Sequence, residues 1–99
     1  MFIGSLTYKV ALAEIDTHLD AHRAFLDRHF ATGTFLASGP KEPRTGGVIL
    51  AHAANRQALD LILNEDPFRR LDLATYEIES IRLTRFAEDL PEGWRQRLR

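Results

Sequence analysis

The hydrophobic period changes twice in the first third of the chain, and that change limits the folds open to it. Over residues 2–10 the pattern alternates, with Phe2, Leu6, Tyr8 and Val10 on one face and Ile3, Ser5 and Thr7 on the other. That is the period of a strand. Over residues 14–31 the period lengthens to a helix's: Ile15, Leu19, His22, Leu26 and Phe30 share one face, while Asp16, Asp20, Asp27 and Arg28 fall opposite. Gly33 is placed to end that helix. Residues 35–38 then predict a short second strand stopped by Gly39-Pro40, and residues 41–47, with Pro43 and Gly46-Gly47, predict a loop or hairpin. A third strand follows over residues 48–51.

Asn55 is a natural N-cap for a second helix reaching Asn64, with Ala58, Leu59, Ile62 and Leu63 inward. Residues 75–86 predict the last strand. Its apolar positions run through Tyr76 and Ile78, then shift phase to Ile81 and Leu83, which predicts a bulge near Glu79-Ser80. Residues 87–99 form a charged tail in which Pro91 and Trp94 predict a short helix. The order β-α-β-β-α-β predicts one α+β domain of ferredoxin-like architecture, two helices on a four-stranded antiparallel sheet. Helices cover one side of such a sheet only. Since Ile3, Val48 and Leu50 make the other side apolar as well, a symmetric dimer packed sheet on sheet is expected.

Composition narrows the function classes. Ninety-nine residues suffice for one modest core. Thirteen basic against 14 acidic residues, a net charge of −1, lack the positive excess of a general nucleic-acid binder. With no cysteine, disulfides, thiolate metal sites and cysteine nucleophiles are excluded. No stretch approaches the roughly 20 apolar residues of a membrane span, and the N-terminus lacks the pattern of a signal peptide. A cytoplasmic location is the expectation.

His22 is the anomaly in the first helix. An imidazole within an apolar stripe needs a polar partner, and Asp66, in Asp66-Pro67-Phe68, is the best candidate. A carboxylate that holds an imidazole makes a general base or acid for work near neutral pH. Asp66-Pro67 also reads as an N-cap followed by proline at the first helical position. Both roles fit one side chain, one oxygen capping and the other on the imidazole. Lys41 and Arg44 flank the predicted loop and are placed to receive a substrate carboxylate, Arg44 through its fork of donors. Gly46-Gly47 reads equally as close approach to a ligand or as a tight hairpin. Tyr8 and Tyr76 read as core aromatics before pocket residues, and His52 as a surface or interface residue. His18 and His22, spaced i, i+4 with His29 in the same sector, form a weaker candidate for a metal, because no third ligand and no H-E-x-x-H motif accompany them.

The ordered set His22-Arg23-Ala24-Phe25-Leu26, Ser38-Gly39-Pro40, Gly46-Gly47-Val48-Ile49-Leu50 and Asp66-Pro67-Phe68 resembles the YCII-related proteins. The resemblance implies a dimeric α/β barrel built from two ferredoxin-like domains, with a histidine and an aspartate in its active site, here His22 and Asp66. It also brings Ser38, Gly39 and Pro40 to the pocket as substrate contacts beside Arg44. The expected activity is proton transfer on a small polar or aromatic metabolite, of the isomerase, dehydrohalogenase or lyase type. No dinucleotide fingerprint, P-loop or metal signature is present, so no cofactor is expected. A non-catalytic small-molecule-binding module and a structural dimerisation domain remain the alternatives.

Overall fold

A computed structural model describes residues 1–99. The four strands are β1 (Phe2–Tyr8), β2 (Phe35–Pro40), β3 (Gly46–Ala51) and β4 (Ala74–Ser80). They form one sheet in the order β2-β3-β1-β4, with every neighbouring pair antiparallel. This is the expected ferredoxin-like arrangement. The helices are α1 (Leu12–Thr17), α2 (Leu19–Ala31), α3 (Arg56–Leu63), α4 (Pro67–Arg70) and α5 (Glu92–Leu98). None is long and apolar enough to cross a membrane.

Alternation puts Phe2, Leu6, Ile49 and Ala51 on the helix side of the sheet. There they join Ile15, Phe25, Phe35, Leu59, Leu63 and Phe68 in one buried cluster. Asn55 caps α3 as expected, its side chain accepting from the Ala58 N–H at 2.8 Å. Gly33 ends α2 with a φ of 81°, a conformation that costs other residues energy. Gly46 has a different reason to be glycine: a Cβ there would lie 1.7 Å from the Leu6 carbonyl oxygen. The close approach is to the neighbouring strand β1.

Three elements depart from the sequence reading. The helix expected over residues 14–31 is two helices, broken at His18, whose φ of −108° and ψ of 9° leave the helical region. The break resets the helical phase, so Phe25 is wholly buried while Phe30 remains 37% exposed. The last strand ends at Ser80, with β1 and β4 in unbroken register from Phe2↔Ser80 to Tyr8↔Ala74. The phase shift after Ile78 therefore marks a strand end, not a bulge. The one register shift of the sheet falls between Phe35 and Ala37 on β2. That strand also continues through Gly39-Pro40, which an edge strand tolerates because proline's missing donor faces no partner.

Candidate functional site

The site begins with the turn between α3 and α4. The Asp66 backbone is extended, with φ −70° and ψ 125°, and its N–H bonds the Leu63 carbonyl at 3.0 Å. Its side chain is wholly buried. Oδ1 accepts both the Phe68 N–H, at 3.0 Å, and the Nδ1–H of His22, at 2.9 Å, while Oδ2 accepts the Tyr76 hydroxyl. Capping and imidazole binding thus fall on one oxygen, not on two, because tyrosine takes the other. A buried carboxylate is costly unless donors surround it, and here three do.

His22 is delivered by α2 and is only 13% exposed. The ring of Phe68 stacks on it, centroids 4.2 Å apart and planes 11° from parallel. With Nδ1–H given to Asp66, a neutral imidazole carries its lone pair on Nε2, and His22 lines the cleft. Burial, and then the charge of Asp66, push the Tyr76 phenol well above its usual range, so it stays a proton donor to the carboxylate. The guanidinium of Arg69 lies 5.6 Å from the centre of the Tyr76 ring.

In front of His22 is a cleft of about 440 Å³ between α2, α4 and the β2–β3 hairpin. Ser38, Gly39, Pro40 and Arg44 all line it together with His22, whereas Asp66 lies behind the imidazole. Ser38 owes its place to the irregularity in β2. It stands opposite Ile49, a core-facing position, only because the register slips by one residue before Ala37. Arg44 is tied to Asp16 of α1, Nη2 to Oδ1 at 2.5 Å. That hydrogen bond holds the Asp16 carboxyl below its ordinary range and raises the guanidinium.

Other candidates are placed differently. Lys41 turns to the Thr7 hydroxyl, at 3.3 Å, and does not line the cleft. The histidines do not converge: His29 Nε2 meets Glu65 Oε1 at 3.1 Å, and no three metal-ligating side chains cluster. The His29 hydrogen bond keeps the Glu65 carboxyl below its usual value. His52 is exposed and meets the Arg99 carbonyl at 3.1 Å. Tyr8 lines the cleft instead of simply filling the core. The sequence reading missed Arg23 as a lining residue, Phe68 as the stacking partner of His22, and Tyr76 as the second donor to Asp66. The alternation of β4 signals Tyr76 only as a residue on the helix-covered face.

An α+β domain with a carboxylate-held histidine at the mouth of a small cleft is the class of protein defined so far. The chain matches the family model of the YCII-related domain over residues 1–82, and it belongs to that family. In fold it is similar to 5-chloro-2-hydroxyhydroquinone dehydrochlorinase from Burkholderia phenoliruptrix AC1100, solved in complex with 2,5-dihydroxybenzoquinone. The TM-score is 0.71 at 17% identity, over 82% of this chain and 92% of that one. At that identity the likeness is one of fold. No curated protein matches the chain.

Proposed function

We propose that this protein is a small cytoplasmic enzyme that moves a proton on a small polar or aromatic metabolite. His22 Nε2 takes or returns the proton, and Asp66 fixes the tautomer and steadies the imidazolium, as an orienting carboxylate does in hydrolytic triads. The observation that carries this reading is the 2.9 Å contact from His22 Nδ1 to a wholly buried Asp66, with His22 itself lining the cleft. Ser38 and Arg44 would contact the substrate's oxygens, and the backbone of Gly39 and Pro40 would shape the wall beside them.

Isomerisation, dehydrohalogenation and related eliminations can all begin with removal of a proton from a carbon next to a carbonyl or other electron-withdrawing group. None needs a cofactor for that step. The fold relative is a dehydrochlorinase, which supports the elimination branch by analogy of fold. The working form is a homodimer joined through the face of the sheet opposite the buried cluster.

The test uses thermal stabilisation to select small oxygenated ring compounds. Each hit is then followed for product and for deuterium uptake from heavy water. Wild type is expected to catalyse exchange or turnover of at least one hit, and His22→Ala to lose it by about 100-fold or more while staying folded. Full activity in His22→Ala would end the proposal. Stabilisation by many ligands with no chemistry in any of them would favour a binding module.

A further inference from the structure

The cleft has one sign of charge. Its 15 lining residues include Arg23, Arg44 and His22 and not a single Asp or Glu, although the chain as a whole has one more acid than base. Two acids adjoin the site without lining it. Asp66 is buried behind His22 and saturated by its donors. Asp16 takes Nη2 of Arg44 and Tyr8 is a further hydrogen-bonding neighbour of that guanidinium; with five N–H donors in the fork, some remain for a ligand. Arg23 is more open still: its contact with Asp20 is 4.0 Å long, and both side chains are well exposed. Facing these cations are apolar walls supplied by Leu6, Leu26, Ile49 and Phe68. A concave surface with low-dielectric walls and cations of one sign concentrates field lines and favours a negative guest.

We infer that the cleft selects a small organic anion, an ionised enol, phenol or carboxylate, with its charged oxygen on Arg44 and Arg23 and its carbon skeleton on the apolar wall. The inference rests on the reading of this cleft as the ligand site and adds the charge of the ligand. It gives Arg23 a part as a ligand contact, and it explains why Arg44 is held in place by an acid outside the cleft. Asp16 uses one donor to aim the rest.

Calorimetry with a matched pair of probes tests this. 2,5-Dihydroxybenzoquinone ionises in water, whereas its dimethyl ether, 2,5-dimethoxybenzoquinone, has no acidic proton. The anion is expected to bind at least about tenfold more tightly, as charge-assisted hydrogen bonds to arginine require. The gap should narrow with added salt, and in Arg44→Gln and Arg23→Gln, while binding of the ether changes little. Equal affinities, binding of neither probe, or a gap that survives both substitutions overturns the inference. Repeating the pair with His22→Ala separates it from the proposed catalysis. Anion preference there, with no turnover of any ligand by wild type, leaves the inference standing and removes the enzyme. Turnover of a neutral ligand that binds as well as its anion does the reverse.

Discussion

At the scale of single residues, Asp66 organises the site, and Tyr76 is the part of its network with a measurable pH signature. The phenol is held above its usual value of about 10. Below that pH both folded and unfolded chains keep the proton, so the contribution to stability is constant. Above it only the unfolded chain ionises, and stability falls by up to about 1.4 kcal/mol per pH unit. Urea unfolding of wild type from roughly pH 9 to 11 should therefore show a decline that is shallower in Tyr76→Phe. Parallel curves for the two proteins would mean that Tyr76 is not the buried donor described. The pairing of His22 with Asp66 was legible in the sequence because an ionisable residue in an apolar stripe demands a partner, and an Asp before Pro-Phe offered one. Tyr76 was not. Its role depends on how β4 registers against the turn holding Asp66, and a residue pattern carries no such distance.

At the scale of elements, the break at His18 decides which aromatic residue of the first helical segment is structural. Neither glycine nor proline marks it, and every residue from Glu14 to Thr17 and from Leu19 to Ala31 is compatible with a continuous helix, so periodicity alone runs the stripe straight through. In a continuous helix Phe30 would carry the packing. In the structure Phe25 does, wholly buried and edge-on to Phe35 at 5.5 Å. Phe25→Ala is expected to cost about 3–5 kcal/mol, the range for an aromatic cut from a packed core, out of a total of about 5–15 for such a domain. Phe30→Ala should cost less than about 1.5 kcal/mol, since over a third of that side chain is already in water. Denaturation midpoints for the two variants check the contrast, and the opposite order would restore the unbroken helix. The last strand teaches the same lesson in reverse. A phase shift in its pattern is compatible with a bulge or with an end, and only the unbroken β1–β4 register separates the two. The register slip that does occur, in β2, is hidden in a strand too short for its alternation to be read, yet it turns Ser38 toward the cleft.

At the scale of the whole molecule, the sheet has a helix-covered face and an opposite one, on which Ile3, Val48 and Leu50 are only partly buried. Ile3 pairs with Leu50, Leu50 with Ala37, and Ser5 with Val48, which makes a contiguous patch across β1, β3 and β2. Toward β4 the same face turns acidic, with Glu79 beside Ile3 and Glu77 beside Ser5. This two-sided apolar pattern was legible from the strand sequences alone, because period-two alternation assigns each residue a face whatever the register. An isologous pair of sheets would bury the patch on both copies at once. Sedimentation velocity at micromolar concentration should accordingly give twice the 11.3 kDa chain mass. Leu50→Glu puts a charge at the centre of the patch and leaves the helix-side core untouched. It is expected to yield a folded monomer, because an unpaired buried carboxylate at an interface costs more than one side chain's contacts return. A wild-type monomer at that concentration would leave that apolar patch unexplained and remove the homodimer from the proposed function. A Leu50→Glu protein that stays dimeric would move the interface elsewhere on the molecule, to a surface such as the exposed Leu12, Leu61 or Leu71. The cleft is formed on the helix side within one chain, so the monomeric variant should still bind the anionic probe. Loss of binding on monomerisation would mean that the partner copy completes the site.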